Sequence, residues 1–106
     1  MKKLADKIMN KIRSMNLSKK ILISLNYESL ISELCEKLDN KGIAKGDNFY
    51  ILMDFIIQNY TDLDYQKSGY LWYCHTENDY NALNEAIDYI SDFNYQMAKY
   101  FDEDID

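Results

Sequence analysis

Proline is absent from this 106-residue chain and glycine occurs only three times, so the two residues that most strongly interrupt helices are nearly missing. Long helices are favoured. Long apolar runs are missing too: stretches such as Ile21-Leu22-Ile23 and Ile51-Leu52-Met53 fall far short of the roughly 20 residues a membrane-spanning helix needs. That excludes a transmembrane helix, and no membrane partner is expected. The start Met1-Lys2-Lys3 has the charge of a secretory signal, but Asp6, Lys7, Lys11 and Arg13 break any apolar region behind it, so a cytoplasmic location is expected.

Cysteine and histidine are scarce: Cys35, Cys74 and His75 are the whole supply. Cys35 lies on an apolar helical stripe and Cys74 beside aromatics, positions that suit buried, reduced thiols. Cys74 and His75 are adjacent, and neighbours on a chain rarely face each other. Without a Cys-x-x-Cys pair or the four ligands that zinc wants, neither a metal site nor a thiol nucleophile is expected. The chain also lacks a glycine-rich phosphate loop, a nucleophile elbow and a helical His-Glu-x-x-His motif. No catalytic residue and no cofactor is expected, and the function class that remains is binding.

With 47% apolar and 28% charged residues, the chain is apolar enough to fold, and its length suits a single domain over residues 1–106. Charge is unevenly placed. Residues 1–24 hold seven basic side chains against Asp6 alone, a net +6, whereas residues 25–106 hold five lysines against seventeen carboxylates, a net −12. A basic amphipathic segment is therefore followed by an acidic body.

Apolar periodicity predicts a mainly α fold of about four helices. The first carries Leu4, Ile8, Ile12 and Met15 with lysines between them. Ser18 offers a cap for a short apolar piece, Ile21 to Leu25, whose pattern suits helix or strand. In the next helix Tyr27, Leu30, Ile31, Leu34, Cys35 and Leu38 form the stripe, Asn26 caps the start, and Gly42 takes the left-handed conformation beyond the end. Asp47 or Asn48 caps a third, with Phe49, Leu52, Met53, Ile56, Ile57 and Tyr60 inward. Residues 61–75 lose the helical period and contain Gly69 and Tyr70-Leu71-Trp72-Tyr73, which suggests an irregular aromatic-rich loop with short extended pieces. Thr76-Glu77-Asn78-Asp79 resembles a capping box opening a long last helix. That helix is expected to send Tyr80, Leu83, Ile87, Ile90, Met97 and Phe101 to the core. Leu34, Ile56 and Ile87 are expected to be fully buried.

On the last helix Glu77, Asn81, Glu85, Asp88, Asp92 and Asp102 share one sector, a ridge relieved only by Lys99. Asp62 and Asp64 add charge from the loop. A solvated polar face accounts for most such ridges, but ordinary surface helices mix signs. Carboxylates about 4.5–6 Å apart along an axis present charge at a spacing comparable to that of phosphates along a DNA strand. Tyr70, Trp72, Tyr73 and Tyr80 suit either a contact anchor or half-buried packing. The basic first helix either contacts an anionic partner or lies against the acidic body.

The segment Asp62-Leu63-Asp64-Tyr65-Gln66-Lys67-Ser68-Gly69-Tyr70-Leu71, preceded by Asp54-Phe55-Ile56 and followed by a long acidic helix, resembles the Ocr-type antirestriction proteins of phages, which are small acidic helical dimers imitating bent DNA. The likeness runs from Glu28 onward; the basic first 24 residues and Lys67 depart from it. It implies phosphate mimicry by Asp62, Asp64, Glu77, Glu85, Asp88 and Asp92, with Tyr70 and Trp72 as contact anchors. The implied partner is a DNA-binding protein or nuclease with a basic groove, such as a restriction or CRISPR enzyme, with no direct nucleic-acid binding. A homodimer is also implied, and the surplus of aromatics points the same way. An immunity protein against a toxin nuclease and a non-enzymatic helical adaptor fit the same composition.

Overall fold

The computed structural model describes residues 1–64 and 80–105, and among them it is mainly helical, with five helices and no strand. They are α1 (Lys2–Ser14), α2 (Lys19–Ser24), α3 (Tyr27–Leu38), α4 (Asp47–Tyr60) and α5 (Tyr80–Ile105). The mainly α reading holds. The piece left open between helix and strand is helix α2, started by Ser18, whose hydroxyl accepts from the Ile21 N–H at 3.4 Å.

Each helix is bounded by local chemistry. Asn16 takes a left-handed φ of 50° after α1, a conformation asparagine tolerates, and lets the chain turn into α2. Asn26 caps α3 by accepting from the Ser29 N–H at 3.2 Å. After α3, Gly42 is left-handed as expected, and the Asp39 carboxylate gathers the turn by accepting from Ile43 and Ala44 N–H groups at 2.9 and 2.8 Å. Those N–H bonds, that of Ala44 foremost, hold the Asp39 carboxyl below its ordinary pKa. The start of α4 differs from expectation: Gly46, at φ 58° and ψ −131°, occupies the cap without a side-chain bond, and Asp47 contributes its charge in the first turn instead.

The core is one cluster. α1 packs on α3 and α4, and α5 packs on α2, α3 and α4. Leu4, Ala5, Ile8, Met9 and Ile12 from α1 meet Tyr27, Ile31 and Leu34 from α3 and Leu52, Met53, Ile56 and Ile57 from α4. Burial of a side chain of this size contributes ~1.5–3 kcal/mol. Cys35 is a free, buried thiol whose pKa burial pushes up to about 11, with the nearby Asp39 charge adding to the shift. Phe49 and Tyr60 are half-buried, and Met15 lies past the end of α1, partly in solvent.

The expected stripe of α5 needs correction. Leu34 and Ile56 are buried, but Ile87 is 49% exposed. The face turned inward is Ala86, Tyr89, Phe93, Met97, Ala98 and Phe101. Phe93 is fully enclosed and sets the phase of the helix, while the small Ala86 and Ala98 allow neighbouring helices close approach; Ile87 falls to the side of that stripe. The ring of Phe101 stacks on Tyr27 with centroids 5.9 Å apart, and Asn94 of α5 accepts from the Tyr27 N–H at 3.0 Å, a second cap for α3 supplied from across the core. The expected capping box at 76–79 and the short extended pieces at 65–75 lie outside the described residues.

Candidate functional site

The acidic face is assembled from α5 and the four residues that follow α4. Thr61 ends α4: its hydroxyl donates to the Ile57 carbonyl at 2.6 Å and accepts from the Leu63 N–H at 3.2 Å. The Tyr89 hydroxyl, reaching out from α5, donates to the Asp64 carbonyl at 3.0 Å. The chain from Thr61 to Asp64 is thereby laid along α5. Asp62, Gln96, Lys99 and Glu103 line a groove of about 290 Å³ where the two segments run side by side.

On α5 the residues Glu85, Asp88, Asp92, Gln96, Lys99 and Glu103 fall within a sector of about 80°, counting about 100° per residue. Glu85, Asp88, Asp92 and Glu103 are exposed, as are Asp62 and Asp64. Correcting the phase of α5 leaves the carboxylates of this sector in solvent, because Phe93, the enclosed residue of the inward stripe, lies about 100° around the helix from Asp92. Along the axis Glu85 and Asp88 are separated by about 4.5 Å and Asp88 and Asp92 by about 6 Å. Carboxylates standing in water on a solvent-facing sector act as fixed negative charges, and that is the chemistry the face offers.

Two ridge assignments change. Asp102 turns toward α2, where Lys19 holds it in an ion pair at 3.1 Å, so its charge is largely spent within the molecule. Glu103, eighteen residues after Glu85 and therefore five helical turns along the same face, joins the ridge; that spacing was visible in the sequence. Glu77, Tyr70 and Trp72, expected at the same site, lie outside the described residues, as do Cys74 and His75.

The basic segment is tied to the acidic body at two further points. Arg13 donates to the Tyr100 hydroxyl at 2.6 Å, with its guanidinium carbon 5.5 Å from that ring's centroid. Asp6, the lone carboxylate of α1, accepts from the Tyr60 hydroxyl. Burial, followed by the Asp6 hydrogen bond and charge, pushes the Tyr60 pKa up to about 12. α1 is thus a core helix with a basic outer surface.

Compared with known protein families, curated proteins and solved structures, the chain matches none of them. Its own geometry is what bears on function. Among the described residues no helix is long and apolar enough to cross a membrane, and no three His, Cys, Asp or Glu side chains gather where a metal ion could be held.

Proposed function

We propose that this chain is a DNA-mimic inhibitor of the kind encoded by phages and mobile elements, a cytoplasmic, non-enzymatic protein that occupies the basic groove of a host restriction or CRISPR enzyme. The observation that supports this reading is that carboxylates from two separate segments, Asp62 and Asp64 beside α4 and Glu85, Asp88 and Asp92 on α5, share one solvent-facing side with Lys99 as the only basic residue of the α5 sector. Such a surface repels nucleic acid and attracts a groove built for phosphates, and association is steered by charge and weakens as salt rises.

The test is inhibition of a panel of purified type I restriction and CRISPR effector nucleases, with double-stranded DNA as competitor. Asp62→Asn, Asp64→Asn and Glu85→Gln combined keep the face polar and nearly isosteric. The variant is expected to raise the inhibitory concentration roughly tenfold, at ~0.5 kcal/mol or more per rim charge. Lys7→Gln with Lys11→Gln is expected to change little. The reading fails if the lysine changes abolish inhibition while the acidic changes leave it intact, or if the free protein itself binds DNA tightly at physiological salt.

A further inference from the structure

A groove of about 400 Å³ lies where the first turns of α1 meet the connection between α3 and α4. Its floor is aliphatic: Leu4 is buried, Leu38 is half-buried, and Ile43 keeps 39% of its surface in solvent. Its rim is basic. Lys2, Lys3 and Lys7 border it from α1 and Lys41 from the connection, and all four are exposed. None of its lining residues comes from α5 or from residues 61–64, so the groove is separate from the acidic face.

The charge of this rim is unmet within the molecule. Asp39 is the one carboxylate among the lining residues, and it is already engaged: it accepts from the Ile43 and Ala44 N–H groups at 2.9 and 2.8 Å, with the Lys45 charge close by. Among the described residues Lys2, Lys3, Lys7 and Lys41 have no ion-pair partner. The chain holds 18 carboxylates against 12 basic side chains, so partners for lysine are abundant on its surface. Four ammonium groups left unneutralised around one groove repel one another, and an anion from outside the molecule relieves that repulsion.

The lining narrows the chemistry of that anion. A carboxylate brings one charge, whereas a phosphate monoester brings close to two at neutral pH with three acceptor oxygens, and lysines on flexible stems bind it as point charges. No aromatic side chain lines the groove, so a nucleobase has nothing to stack on. Leu4, Leu38 and Ile43 suit an aliphatic body instead, and the volume falls in the range of small-molecule pockets. We propose that this groove binds a phosphate monoester carried on a short aliphatic chain, with the phosphate held by Lys2, Lys3, Lys7 and Lys41 and the chain laid over Leu4, Leu38 and Ile43. This site is independent of the inhibitory reading of the acidic face.

NMR titration of the full chain with hexyl phosphate, a small monomeric probe, tests this. Amide shifts are expected around Leu4, Leu38 and Ile43, saturating at about 1 mM or below. Affinity is expected to rise from inorganic phosphate through butyl to hexyl phosphate, by up to about fourfold for each fully buried methylene. It is also expected to rise as pH passes through about 6, where the phosphate gains its second charge. Lys3→Gln, Lys7→Gln and Lys41→Gln combined are expected to weaken binding by about tenfold or more, and Ile43→Ser to reduce the gain per methylene. Both variants are expected to keep the helical circular-dichroism spectrum, because the lysines are exposed and Ile43 is partly so. Lys20→Gln, outside the groove, is expected to leave binding unchanged. Absence of saturable binding, inorganic phosphate or adenosine monophosphate binding as tightly as hexyl phosphate, or a lysine variant that binds like the wild type would each overturn the proposal. Binding to vesicles containing phosphatidic acid with none to the monomeric ester would overturn it in favour of a membrane surface.

Discussion

In α1 the apolar side chains Leu4, Ala5, Ile8, Met9 and Ile12 are all buried, and the polar remainder is largely basic; in α5 Phe93, Met97 and Phe101 are buried while Ile87 and Tyr95 stay exposed beside a line of carboxylates. α1 has an apolar face as wide as the core it meets, so its burial is complete within one molecule, and Arg13 and Asp6 anchor its polar surface to Tyr100 and Tyr60. α5 carries more apolar circumference than the core can cover. Unlike α1, α5 therefore leaves both charge and apolar area in solvent.

The sharpest way to break that comparison is to truncate one residue of each kind. Phe93→Ala is expected to cost ~3–5 kcal/mol and Ile12→Ala ~2–5 kcal/mol in urea unfolding, because both leave cavities in a closed core. Ile87→Ala is expected to cost under ~1 kcal/mol, since its side chain is already half in water. Equal losses at Phe93 and Ile87 would return Ile87 to the core and remove the contrast.

An alkaline titration sharpens it next. Burial pushes the Tyr27 hydroxyl from 10.0 up to about 12, and burial with the Asp6 bond does the same for Tyr60. A raised folded-state pKa means the folded form retains the proton that the unfolded chain releases, so the stabilising contribution is complete below pH 10.0 and is lost as pH rises toward about 12. Unfolding midpoints are expected to fall across that window, and Tyr60→Phe is expected to flatten the fall. A midpoint that does not change with pH there would contradict the burial of these two hydroxyls.

The smallest effect belongs to the caps. Asn26→Ala removes the acceptor for the Ser29 N–H and is expected to cost ~1 kcal/mol, well below the core truncations. A loss as large as that of Phe93→Ala would show that the start of α3 carries tertiary weight beyond its cap.

Much of the fold was legible because it is written in local chemistry. The stripe of α3, its cap at Asn26 and the left-handed Gly42 follow from spacing and from what those residue types do at helix ends. The stripe of α5 was harder. Over a helix of 26 residues, aromatic and apolar residues occur on more than one side, and periodicity alone admits a phase that favours Ile87 as readily as one that favours Phe93. The ridge of Glu85, Asp88 and Asp92 was legible from spacing. The loss of Asp102 to Lys19 was not, because the pair joins residues more than eighty positions apart.

By itself the sequence determined that this chain is mainly helical, where α3 begins and ends, and that a line of carboxylates runs along the last helix, since each of these depends on neighbours within a few turns. The tertiary structure alone decided which side of α5 faces the core, that Tyr89 lays Asp62 and Asp64 beside the ridge, and that Tyr95 stays in solvent. These depend on how helices distant in sequence pack against one another, and close packing around Phe93, Phe101 and Tyr27 settles that through shape, which no pattern along a single helix contains.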